Sequence, residues 1–148
     1  LTLLLEPGRS IVANAGVLLS KIEYLKPGKE KNFAIIDAAM NDMIRPALYQ
    51  AWLAVDPVVL KKDIEHKWDI IGPICETGDF IAKDRLLCLD QGDLLCIGSA
   101  GAYGFSMSSN YNSRGKAAEV MVDGDNMYEI RKRESIQDLI RGECILPK

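Results

Sequence analysis

Arg85-Leu86-Leu87-Cys88-Leu89-Asp90-Gln91-Gly92-Asp93-Leu94-Leu95-Cys96-Ile97-Gly98-Ser99 is the stretch on which the fold turns. It holds two short apolar runs, Arg85–Asp90 and Leu94–Ser99, each read as a strand. Working outward, the same kind of run recurs at Val58–Lys61 and Lys67–Ile71 before it, and at Glu119–Asp123 and Met127–Lys132 after it. Many short strands at near-regular spacing predict a β-sandwich or barrel. Asp123-Gly124-Asp125-Asn126 supplies turn residues for a hairpin between the last two runs. Ser135-Ile136-Gln137-Asp138 matches a capping box, so a short helix is expected over Ser135–Arg141, ending at Gly142. Upstream, Val17–Lys26 and Phe33–Ala38 read as strands on either side of a charged turn at Lys26–Lys31. Asn41–Val55 reads as helix, with Pro46 in its first turn.

The first residues do not fit this pattern. Leu1-Thr2-Leu3-Leu4-Leu5 is a continuous apolar run of the kind found in a parallel strand covered on both faces. It is expected to be the last strand of an upstream (β/α) barrel, broken by Glu6-Pro7-Gly8-Arg9 and followed by a short helix from Ser10 to Ala15. The predicted fold is therefore mainly β: a C-terminal β-sandwich or Greek-key barrel domain with short helices over residues 17–148, preceded by a barrel remnant over residues 1–16. Residues before about Gly16, without their sheet, are expected to be mispacked.

Composition narrows the function. The 148 residues are 48% hydrophobic and 26% charged, with 18 basic against 21 acidic side chains and pI ≈ 5.2. That balance is ordinary for a globular domain and argues against a nucleic-acid partner, which calls for a basic face. No apolar run approaches the roughly 18–20 residues of a membrane helix, and the opening run lacks the basic flank of a signal peptide. The 4 cysteines are widely separated and His66 is the single histidine, so no metal site is expected. Unpaired, reduced cysteines suit a cytoplasmic protein.

Four polar segments exceed the needs of a plain β domain. Glu6-Pro7-Gly8-Arg9 stands at the carboxyl end of the supposed barrel strand, where ligands bind in such folds. There a glycine lets backbone N–H groups approach a phosphate, with help from a following helix start. In Asn41–Tyr49, Arg45 and Tyr49 are one helical turn apart and share a face, an arrangement suited to gripping a carboxylate. Cys75-Glu76-Thr77-Gly78-Asp79 sets a thiol beside a carboxylate in a tight loop, and a cysteine can exchange protons when its surroundings tune it. Gly101–Asn112 interleaves small and polar residues with Tyr103 and Tyr111, as a ligand-lining loop would. Taken singly, each segment also reads as an ordinary turn, a helix ion pair, a buried cysteine or a connecting loop.

In this order the four segments resemble the C-terminal part of the diaminopimelate decarboxylases. These belong to the pyridoxal-phosphate-dependent amino-acid decarboxylases built from an alanine-racemase-like barrel and a β domain. The resemblance spans essentially the whole chain, with Thr77 in place of a commoner serine and Arg114-Gly115-Lys116 in place of an Arg-Pro-Arg run. It implies decarboxylation of meso-2,6-diaminopimelate to L-lysine, the last step of lysine biosynthesis. Under it Glu6 pairs with the pyridinium nitrogen, while Pro7, Gly8 and Arg9 lie at the cofactor and Arg9 also reaches substrate. Arg45 and Tyr49 hold the distal carboxylate, and Glu76 binds the distal ammonium. Cys75 donates the proton that replaces CO2, and Tyr103 touches both cofactor and substrate. Cys75 and Glu76 then come from the second subunit of a homodimer. No lysine here matches the barrel lysine that forms the aldimine with the cofactor, so the chain alone is expected to be inactive. The alternatives are an ornithine- or arginine-type decarboxylase domain, or a non-catalytic dimerisation module of the same fold.

Overall fold

The computed structural model describes residues 1–147, in two compact units, 1–108 and 109–147. The first unit is built on one six-stranded sheet. Its strands are β1 (Leu18–Lys26), β2 (Asn32–Ile36), β3 (Val55–Pro57), β4 (His66–Ile71), β5 (Phe80–Leu87) and β6 (Leu94–Ile97), in the order β3-β6-β1-β2-β4-β5. All neighbours are antiparallel except β2 and β4, which run parallel. The sheet curls until its edges approach. Arg85 of β5 reaches Leu53 O, just ahead of β3, at 2.9 Å, and stacks its guanidinium 4.3 Å from the Trp52 ring. The result is a nearly closed barrel, as the strand spacing predicts.

Its interior is apolar because alternate residues of each strand point inward. Ile22, Ala34, Ile36, Ile70, Ile81, Leu95 and Ile97 are fully or almost fully buried, and Trp68 closes one end with its indole N–H donating to Leu87 O at 3.2 Å. One buried charge is balanced at the rim: the Asp69 carboxylate accepts from Lys31 Nζ at 2.9 Å and from Asp84 N at 2.8 Å. Burial pushes the Asp69 carboxyl up, but the Lys31 and Asp84 hydrogen bonds outweigh it and hold the group below the usual range.

Several sequence expectations change here. Helix α1 covers Arg9–Val12 and passes into a 3-10 turn at Ala13–Ala15, so the short helix is present. Leu1–Leu5 forms no strand; Leu3, Leu4 and Leu5 are exposed. A buried parallel strand needs a hydrogen-bonded neighbour, and within the described residues this run has none. The expected helix over Asn41–Val55 shrinks to α2, Arg45–Tyr49. Gln50 ends it in the left-handed region (φ 53°), after which the chain extends so that Leu53 and Val55 reach the core. The strand expected at Val58–Lys61 forms earlier, at Val55–Pro57, where it pairs with β6.

The second unit carries β7 (Glu119–Asp123) and β8 (Asn126–Arg131), joined by the expected two-residue turn with Gly124 at φ 57°. Helix α3 (Ile136–Leu139) opens with the predicted capping box, in which Ser135 Oγ accepts from Asp138 N and the Asp138 carboxylate accepts from Ser135 N. It is shorter than predicted, and Gly142 follows at φ 96°. The cysteines are free. Among the described residues there is no metal-ligating cluster, and no helix is long and apolar enough to cross a membrane.

Candidate active site

The site starts where two backbone segments meet almost without side chains between them. Ala100 N donates to Gly16 O at 2.9 Å and Gly101 N to Ala13 O at 3.1 Å. A Cβ on Gly101 would lie 2.0 Å from Val12 O, so only glycine permits this approach. Arg9 adds a side-chain clamp, donating from Nη1 to Ala102 O at 3.0 Å and from Nη2 to Ser99 O at 3.3 Å. Ser99 and Tyr103 both take left-handed backbone (φ 59° and 61°), costing on the order of 1–2 kcal/mol each. Strain of this kind persists where the surrounding contacts over-determine it, and it concentrates at functional sites. These contacts hold the backbone of residues 9–16 and bury Ala13, while Ile11 and Val12 stay exposed.

This contact sets Tyr103 beside Gly8: a Cβ on Gly8 would come within 3.0 Å of the Tyr103 hydroxyl. Arg45, the first residue of α2, approaches from the other side. Its guanidinium carbon lies 6.0 Å from the Tyr103 ring centre and 5.2 Å from that of Tyr49. The Arg45 Nε is buried without a hydrogen-bond partner, as is the Nε of Arg85. Gly8, Arg9, Arg45, Tyr49 and Tyr103 therefore form one cluster, although they come from three distant parts of the sequence. The helix macrodipole expected at Gly8 is missing, because α1 is a single turn. What Gly8 contributes is room. Glu6 and Pro7 are exposed in the irregular segment just before it.

Cys75 and Glu76 stand elsewhere, on the loop between β4 and β5, and both are exposed. Glu76 lines a cleft of about 310 Å³ with Asp79, Phe80 and Lys83. The loop is a series of tight turns in which Glu76 N donates to Ile74 O and Asp79 N to Glu76 O. Asp79 is only 4% exposed, and its carboxylate accepts from Ile74 N and from Met40 N, each at 2.7 Å. Sequence reading quoted Asp79 without giving it a task; its place after Gly78 in a tight loop was the available signal. It likewise assigned no role to Gly16 or Gly101, whose partners lie some ninety positions away. Of the two tyrosines it weighed for this loop, Tyr103 is the one at Gly8, and Tyr111 lies in the second unit.

The cluster fits an anionic cofactor and a carboxylate-bearing substrate. An orphaned Arg45 donor, a second guanidinium with N–H groups beyond the two used as a clamp, and a gap that a single Cβ would fill all favour a negatively charged oxygen-rich group.

Comparison with known proteins agrees. Residues 10–101 match the family described as pyridoxal-dependent decarboxylase, C-terminal sheet domain. The chain is 64% identical over all 148 residues to a diaminopimelate decarboxylase of Pseudomonas aeruginosa and 57% identical to one of Vibrio cholerae, spanning 36% of each. Among solved structures it superposes on the diaminopimelate decarboxylase of M. jannaschii in co-complex with L-lysine with a TM-score of 0.92 at 40% identity. That match covers 96% of this chain and 33% of the other. The chain thus spans about a third of the length of these relatives.

Proposed function

Since the chain belongs to the pyridoxal-dependent decarboxylases through their C-terminal sheet domain, we propose that it furnishes part of the active site of an enzyme converting meso-2,6-diaminopimelate to L-lysine and CO2. The observation that carries the reading is the Arg45 guanidinium set between the Tyr49 ring and the Tyr103 that touches Gly8. A substrate with a second carboxylate pairs with the terminal N–H groups of the Arg45 guanidinium; ornithine or arginine, with one carboxylate, leaves that charge unpaired. A site built to pair a polar group rejects analogues lacking it, because its own buried groups then go unpaired.

Pyridoxal phosphate, when bound, supplies an electron sink for the carbon that loses CO2. Glu6 would hold a proton at the ring nitrogen, Gly8 and Arg9 would bind the phosphate with Pro7 shaping the approach, and Arg9 would also meet a substrate carboxylate. Arg45 and Tyr49 grip the distal carboxylate, and Tyr103 would touch both cofactor and substrate. Glu76 pairs with the distal ammonium. Cys75 gives its S–H proton to the carbon vacated by CO2, and the thiolate left behind takes a proton from solvent. Cys75 and Glu76 serve the site of a second copy in a homodimer. Their exposure supports this division, since the Arg45 cluster is assembled from other segments. The lysine that bonds the cofactor is not among these residues, so the chain by itself is not expected to turn over substrate.

The test is CO2 release by the full-length enzyme carrying this sequence, loaded with pyridoxal phosphate and offered meso-diaminopimelate, ornithine or arginine. Release from meso-diaminopimelate alone is the expected result. Equal release from ornithine would remove the role given to Arg45.

A further inference from the structure

The geometry points to Asp79 as a positioning residue: one buried carboxylate fixes the loop bearing Cys75 and Glu76 to the turn from which α2 and Arg45 start. The inference rests on the roles proposed above for Cys75, Glu76 and Arg45. Oδ2 of Asp79 accepts from Ile74 N at 2.7 Å, directly before Cys75, and Oδ1 accepts from Met40 N at 2.7 Å. Met40 belongs to a turn closed by Ala39, whose carbonyl accepts from Met43 N at 3.1 Å and Asp42 N at 2.9 Å; α2 follows at Arg45. The same residue also closes the loop through its backbone, taking Gly72 N on its carbonyl at 3.1 Å.

Gly72 shows how closely this carboxylate is held. A Cβ there would lie 2.3 Å and 2.6 Å from the two carboxylate oxygens, so any side chain at 72 displaces Asp79. An asparagine at 79 keeps one acceptor oxygen and turns the other into a donor facing an N–H, which breaks one of the two ties. In the homodimer proposed above, the Cys75–Glu76 loop and Arg45 of one copy serve different sites. Asp79 then ties the arm a subunit lends to the arm it keeps. Its effect should appear in proton delivery and substrate grip, while the Gly8–Arg9 cradle stays intact. A misplacement of about 1 Å in such a group costs on the order of 100-fold in rate.

The experiment compares Asp79→Asn, Gly72→Ala and the double variant in the full-length holoenzyme, with Cys75→Ser beside them. Expected are a fall in kcat of roughly 10- to 100-fold and a rise in KM for meso-diaminopimelate in each single variant. The double variant should be no worse than the poorer single, since both act through one carboxylate. Cofactor absorbance stays that of the unmodified enzyme and the fold remains intact, with Tm lowered by only a few degrees. Additive losses, wild-type kcat in Asp79→Asn, or loss of the cofactor spectrum together with a collapse of Tm would each overturn the proposal. If Cys75→Ser loses activity while Asp79→Asn keeps it, the positioning role alone fails. Wild-type kcat in Cys75→Ser removes the underlying reading, and the positioning role with it.

Discussion

The two halves of the candidate site are built on opposite principles. Around Gly8 the residues close on one another: Arg9 is clamped on two carbonyls, Tyr103 is held in left-handed backbone, and Arg45 is sandwiched near two aromatic rings with a buried donor unspent. On the β4–β5 loop the reverse holds. Cys75 and Glu76 face solvent, and what is buried is the Asp79 carboxylate that holds their backbone. The first half is a receptor, pre-formed within one chain. The second is an arm presented outward, fixed in shape, with Cys75 and Glu76 on its solvent side. A division of this kind is what a site shared between two copies requires.

The largest expected effect falls on the arm. Cys75→Ala in the full-length enzyme should lower kcat by about 10²- to 10⁴-fold, the usual worth of a positioned general acid. Cofactor absorbance should be unchanged, because Glu6 to Arg9 lie in the other half. An equal loss of cofactor would mean that the halves are not separate. Next comes the receptor: Arg45→Ala should raise KM for meso-diaminopimelate by about 10- to 100-fold, as expected for a lost charge-assisted hydrogen bond. Inhibition constants of dicarboxylate and monocarboxylate analogues should converge in that variant, and a persisting gap would contradict the assignment.

Gly101→Ala tests whether the receptor depends on backbone contact. Forcing a Cβ against Val12 O should destabilise the fold by about 1–3 kcal/mol, read by chemical denaturation, and should weaken cofactor binding more than it alters Cys75 alkylation. The smallest effect concerns the barrel rim at Asp69. Asp69 is held below the usual carboxylate range and Lys31 above the usual lysine range, each chiefly by their mutual hydrogen bond once the cost of burying Asp69 is met. The stabilisation from Asp69 is present above its unfolded pKa and lost as pH falls through its lowered value. That from Lys31 is lost as pH rises through its raised value. Asp69→Asn should therefore flatten the acid limb of the stability profile and leave neutral pH as the region of greatest loss.

The barrel was legible from sequence because alternation and turn chemistry are local. Ile70, Leu95 and Ile97 sit in apolar runs, and the Gly124 turn and the Ser135 cap announce themselves within four residues. Leu1–Leu5 is exposed among the described residues, since an apolar run specifies burial without naming the strand that would cover it. The excess helix after Tyr49 had the same origin. Ala51–Val55 has helical composition, but Leu53 and Val55 are claimed by the barrel, and tertiary packing overrides propensity. The cluster around Gly8 could be listed from sequence, residue by residue, through resemblance. Its geometry could not, since it depends on Gly16 meeting Gly101 and Arg9 meeting Ala102 across the whole first unit.

Subunit mixing tests the division of the site most directly. Full-length Arg45→Ala and Cys75→Ala enzymes are mixed under conditions that exchange subunits, and CO2 release is followed at a meso-diaminopimelate concentration far below the raised KM of Arg45→Ala, where each variant alone is slow. If one copy supplies the receptor and the other the arm, a mixed dimer regains one native site, and activity climbs toward about a quarter of the unmodified enzyme. If activity stays at the level of the separate variants despite confirmed exchange, receptor and arm belong to the same chain and the account fails.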